Sequence, residues 1–154
     1  MPVAIDSNVP DFTAAATGGD FTLSAHRGKT VVLYFYPKDN TPGCTTEGHD
    51  FAAANSKFKQ ANALVLGVSR DNLKSHEGFK SQMKFPFELI SDPDEKLCEL
   101  FGVMKMKNMY GRQVRGVERS TFVIDTAGKL RKEWRGVKVP NHVDQVLAFT
   151  QSLA

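Results

Sequence analysis

Residues 34–47 read YFYPKDNTPGCTTE, and the order of residue types in this stretch decides how the chain is built around one cysteine. It begins inside TVVLYFY, residues 30–36, a continuous β-branched and aromatic run of the kind shown by a strand buried on both faces. A strand-to-helix turn follows. Thr41 suits the N-cap, Pro42 the first helical position and Cys44 the third, in the turn where backbone N–H groups lack helical partners. The positive end of the helix dipole favours thiolate over thiol there and makes the sulfur a better nucleophile. Cys44, Phe51 and Phe58 recur at intervals of seven, which predicts that the cysteine lies on the inward helix face and is sheltered.

Outward from this stretch, ALVLGVS (63–69) reads as a second buried strand. Shorter strands are predicted at 87–91, 120–125 and 129–134, the last two joined by Thr126-Ala127-Gly128. Residues 10–23 carry Gly18-Gly19 between short β-compatible runs and read as a hairpin. Helical patterns span 42–60, 71–84, 93–101 and 141–153, the third with Asp92 as N-cap, Pro93 at the first position and Glu95 at the third. Alternation of strand and helix predicts an α/β fold with a mixed, partly parallel central sheet.

The chain has 154 residues, 41% hydrophobic and 24% charged, enough for one domain with a real core and no staples. A net charge of +3 does not argue for a nucleic-acid or membrane partner. No run approaches a membrane span and MPVAIDSNVPDF has no secretory-signal pattern, so a cytoplasmic location is the expectation. Two cysteines, Cys44 and Cys98, are too few for a secreted disulfide framework; a reducing compartment leaves both as thiols at rest.

An ordinary buried cysteine merely packs. The strand-to-helix turn, the Thr-Pro-Gly lead-in and the first-turn position all argue instead for reactivity at Cys44. Thr41-Pro42-Gly43-Cys44 has Cys-x-x-Cys spacing with threonine in the first place, which excludes dithiol exchange. A lone thiolate can still attack a peroxide and become a sulfenic acid, provided something restores it.

Pro37, Thr41 and Cys44 together form P-x-x-x-T-x-x-C. This resembles the peroxiredoxin active-site signature, and its surroundings are similar to those of the bacterioferritin-comigratory, or Q-type, peroxiredoxins. The resemblance extends through ISDPDEKLCELFGV and GVERSTFVIDTAGKL, over nearly the whole chain. It implies one thioredoxin-like α/β domain over residues 1–154 and a thiol-dependent reductase of hydrogen peroxide and organic hydroperoxides. It also implies roles: Cys44 attacks the peroxide, Thr41 holds it, Pro37 shields the pocket, and Arg119 stabilises charge on sulfur and on the departing oxygen. Glu47 and Gly43 are supporting residues, Glu47 as a partner of the arginine or of the loop. Without the resemblance Arg119 reads as one solvent-facing charge on a strand, and Glu47 as a favourable helix-start carboxylate.

Resolving cysteines of Q-type relatives stand five residues after the reactive one or on the next helix. This chain has His49 and Lys80 at those places. Cys98 is the remaining internal candidate, but with Leu97 and Phe101 on an apolar helix side it reads first as a packing residue. A one-cysteine route is therefore expected, its sulfenic acid reduced by an external thiol, either thioredoxin or glutathione with glutaredoxin. The alternatives are a two-cysteine route through Cys98 and a non-enzymatic redox-sensing module. By the same resemblance a monomer is expected, and no cofactor is expected because sulfur carries the redox change itself. His26, His49, His76 and His142 show no metal-ligand spacing with either cysteine, and no metal is expected. The segment VMKMKNMYGRQVR (103–115) is basic and methionine-rich, with too little aromatic interleaving for a nucleic-acid platform. It is expected to be a loop or hairpin covering the active-site side.

Overall fold

In the computed structural model, which describes residues 2–154, the buried run from 30 to 35 forms the middle of the molecule. A short N-terminal hairpin of β1 (Thr13–Ala14) and β2 (Phe21–Thr22) leads through a 3-10 turn into β3 (Thr30–Phe35). Then follow α1 (Pro42–Gln60), β4 (Ala63–Ser69), α2 (Leu73–Met83), β5 (Glu88–Ser91) and α3 (Lys96–Leu100). A hairpin of β6 (Met104–Met109) and β7 (Arg112–Val117) precedes β8 (Ser120–Ile124), β9 (Leu130–Arg135) and α4 (His142–Leu153). The central sheet has the order β5-β4-β3-β8-β9, with β3, β4 and β5 parallel and β8 and β9 antiparallel to their neighbours. The sheet is mixed, as expected, its antiparallel part coming from the β8–β9 pair, while the β1–β2 hairpin forms a sheet of its own.

All six residues of β3 are buried because helices or loops cover both sheet faces. The pleat sends Val32, Tyr34 and Tyr36 to one face, where they pack with Cys44, Phe51 and Phe58 of α1, Phe79 of α2, and Val143, Val146 and Leu147 of α4. Val31, Leu33 and Phe35 face the other way, toward Phe21 and Leu23 and toward Leu97 and Cys98 of α3. Cys44 and Cys98 thus sit in separate cores on opposite faces of the sheet.

The third helix departs from its predicted start. Pro93 and Asp94 remain in a turn, Glu95 takes a left-handed φ of 62°, and the helix begins at Lys96. Asp92 still serves the helix start from farther back, its carboxylate accepting from the backbone N–H of Leu97 at 3.1 Å and of Cys98 at 2.8 Å. The 103–115 segment forms the β6–β7 hairpin. Its cations are tied to Glu118 through Lys105 and to Glu95 through Arg115, and no hydrogen bond among the described residues joins it to Cys44 or Thr41. None of the described helices is long and apolar enough to cross a membrane.

Candidate active site

Where β3 ends, the chain turns through residues 36–40 and enters α1 at Pro42. Asn40 takes φ 63°, a left-handed conformation that asparagine tolerates better than most residues. Thr41 is the N-cap residue by backbone geometry, but its hydroxyl makes no cap bond; it donates to the Lys38 carbonyl at 2.8 Å. Its oxygen therefore keeps lone pairs for an incoming donor. Pro37 is half-buried at the head of this turn.

Cys44 is 2% exposed, on the inward face of α1 with Phe51 and Phe58 as the sevenfold spacing predicts. Arg119 does not lie on a strand: it is in the short link between β7 and β8, with its side chain only 16% exposed. One arm of its guanidinium, Nη1, donates to Glu47 Oε1 at 2.6 Å, and the other, Nη2, points at Cys44 Sγ at 3.4 Å. Gly43 makes room for that arm, since a Cβ there would stand 3.1 Å from Nη2. Arg119, 75 residues from Cys44 along the chain, is thereby brought to the helix start that carries Thr41, Gly43, Cys44 and Glu47.

Electrostatics follow from burial. Glu47 is fully buried; burial pushes its carboxyl up to about 7, against the pull of the Arg119 charge beside it. Its second oxygen, Oε2, has no hydrogen-bond partner among the described residues. For Arg119 burial pulls downward, but the charges of Glu47 and Cys44 outweigh it and hold the guanidinium more firmly protonated than usual. His142 lies behind the site, hydrogen-bonded to Thr121 at 2.8 Å, with its ring pulled down to about 4 by burial and by Arg119. A fixed cation beside a sheltered sulfur, with free backbone donors of a helix start, can stabilise negative charge on sulfur or on an oxygen bonded to it.

Both cysteines are free and buried. Burial, followed by the contact with Asp92, pushes the Cys98 thiol far up, so it is a poor nucleophile where it stands. His49 is exposed, with its ring edge against Phe85, and Lys80 pairs with Glu88. A second polar group, not singled out in the sequence, lies under the turn: Asp39, Asp71 and His76. The legible signal was a histidine, His76, three residues from Phe79 on the apolar side of α2.

The AhpC/TSA family model matches residues 5–133. Peroxiredoxin Bcp of Xanthomonas campestris is 54% identical over 94% of this chain and 91% of its own length. Peroxiredoxin Bcp of Bacillus subtilis is 45% identical over 100% of this chain and 99% of its own. Among solved structures, a mutant of Xylella fastidiosa PrxQ superposes with a TM-score of 0.93 at 43% identity, covering 99% of this chain and 98% of that one. A Xanthomonas campestris bacterioferritin comigratory protein, solved in trapped intermediate and ligand complexes that concern its alkyl peroxide reduction activity, gives 0.87 at 51% identity, over 92% and 90%. The thioredoxin-like sheet, the helix-start cysteine and these likenesses agree: the chain belongs to the AhpC/TSA family, as a thiol-dependent peroxidase of the Bcp, or Q-type, peroxiredoxins.

Proposed function

We propose that the protein reduces hydrogen peroxide and alkyl hydroperoxides through Cys44 by a one-cysteine route. The observation that carries the chemistry is the Arg119 guanidinium placed between Cys44 Sγ and Glu47 Oε1. The Cys44 thiolate attacks one peroxide oxygen; the S–O bond forms as the O–O bond breaks, and sulfur loses two electrons to become a sulfenic acid. The other oxygen leaves with the bond pair and takes up a proton, departing as an alcohol or as water. Arg119 and the unpaired N–H groups of the first turn of α1 meet the developing charge. Thr41, its hydroxyl already donating to the Lys38 carbonyl, accepts a hydrogen bond from the peroxide O–H, and Pro37 walls the turn. Glu47 orients the guanidinium, and Gly43 keeps its path clear.

An external thiol then attacks the sulfenic sulfur, water leaves, and a second thiol reduces the mixed disulfide, as thioredoxin or glutathione with glutaredoxin would do. The placement of Cys98 in the other core favours this over an internal disulfide, which needs Cα atoms within about 7 Å. The test is one equivalent of peroxide with a sulfenic-acid trap, followed by peptide mapping and turnover with each thiol. Cys44→Ser should abolish turnover, and Cys98→Ser should keep it with trapped sulfenic acid on Cys44. Loss of turnover in Cys98→Ser, with a Cys44–Cys98 disulfide in the parent, would replace this route by the two-cysteine one.

A further inference from the structure

Beneath the reactive turn lies a set of polar bonds, centred on the buried Asp39 and His76, for which the peroxide chemistry above has no use. The Asp39 carboxylate receives Tyr36 OH on Oδ1 at 2.6 Å, and His76 Nδ1 and Ser75 OH on Oδ2, each at 2.8 Å. His76 is wholly buried, and its other nitrogen, Nε2, faces the Ile90 carbonyl at 2.9 Å, so that both ring nitrogens face acceptors. The Asp39 backbone is held as well, its N–H donating to Asp71 Oδ2 at 3.0 Å, while Asp71 is fastened by Ser69 OH at 2.5 Å. Four elements are tied through one turn residue: the end of β3, the end of β4, the start of α2, and β5.

Asp39 is the neighbour of Lys38, and the Lys38 carbonyl accepts a hydrogen bond from the Thr41 hydroxyl. We infer that His76 and Asp39 are positioning residues that act through Lys38 on Thr41, fixing the direction in which its oxygen meets the peroxide. Held in this way, the Thr41 hydroxyl always presents lone pairs to the substrate. Released, the hydroxyl can rotate and the 37–41 turn can drift, and small misplacements near reacting atoms are costly in rate. A buried network of this kind orders its surroundings, and here the Asp39 carboxylate has three side-chain partners while each His76 ring nitrogen has an acceptor within hydrogen-bond distance.

The inference rests on the peroxidase reading of Cys44 and Thr41, so the experiment separates the two. The readout is the second-order rate of Cys44 oxidation by tert-butyl hydroperoxide in stopped flow, with the thermal midpoint measured alongside. His76→Asn keeps a donor near the place of Nδ1; His76→Gln keeps one near the place of Nε2 and loses the Asp39 bond. The expected result is a loss of about tenfold for His76→Gln and of no more than about threefold for His76→Asn. In a Thr41→Val background His76→Gln should cost nothing further, because two residues that act through one group do not add. Tyr36→Phe, which removes only the hydroxyl on Oδ1, is the mild companion should His76→Gln not fold, and a partial loss that likewise vanishes in Thr41→Val is expected. Equal rates for His76→Gln, Tyr36→Phe and the parent, or a full loss persisting in Thr41→Val, would overturn the inference and leave the peroxidase intact. A parent whose Cys44 reacts no faster than free cysteine would overturn both.

Discussion

Glu47 is a fully buried carboxyl group with one oxygen on Arg119 and the other without a hydrogen-bond partner among the described residues. Its pKa in the folded chain, about 7, stands above that of an exposed glutamate. Folding therefore favours the protonated form. Its contribution to stability is complete below the unfolded-state pKa and is lost as pH rises through 7. Glu47→Gln, neutral at every pH, lacks that loss. Denaturant titrations at pH 4 and pH 8 should show the parent giving up on the order of 3 kcal/mol more than the variant between the two. The peroxide rate should follow the same group: above pH 7 the ionised carboxylate grips Arg119, so an inflection near pH 7 in the parent should be missing from Glu47→Gln. Neither the burial nor the unpaired oxygen was legible in TPGCTTE, where Glu47 looks like any helix-start carboxylate. Cys44 was legible, because its position in the first turn is a property of neighbouring residues.

At the scale of elements, the first turn of α1 serves both helix and site, and Gly43 shows the conflict. Alanine is the better helix former by up to about 1 kcal/mol, and the backbone at 43 is not left-handed. A Cβ at 43 would stand 3.1 Å from Arg119 Nη2 and push the guanidinium by a few tenths of an ångström. Gly43→Ala is thus expected to leave the thermal midpoint unchanged or raised while peroxide reactivity falls about tenfold, a split that a stopped-flow rate and a melting curve measure together. The helix bounds of α1 and the strand bounds of β4 agree with those read from periodicity, since Thr41-Pro42 and the continuous apolar run are strong local signals. The start of α3 departs from the local signal because Asp92 and Pro93 make a good local cap, whereas the backbone turns at Glu95, which Arg70 just after β4 and Arg115 of β7 hold.

For the whole molecule, the sheet is a wall between two thiols. Cys44 packs with Tyr34 and Phe51 on one face, Cys98 with Phe35, Phe101 and Phe122 on the other. One equivalent of hydrogen peroxide should leave the folded protein without a Cys44–Cys98 bond, whereas the same treatment in concentrated urea should produce it; non-reducing mass spectrometry distinguishes the two. A disulfide formed equally well in both would mean that the wall opens in each turnover. The sequence by itself determined the strand-turn-helix unit, the inward cysteine and the mixed α/β order, because these follow from spacing, capping and continuous apolar runs within a few residues. Only the tertiary structure decided that Arg119 faces both sulfur and Glu47, that Cys98 is walled off, and that Asp39 and His76 lock under the reactive turn. Those contacts join residues far apart along the chain, and the strand order that brings them together is not written in any one segment.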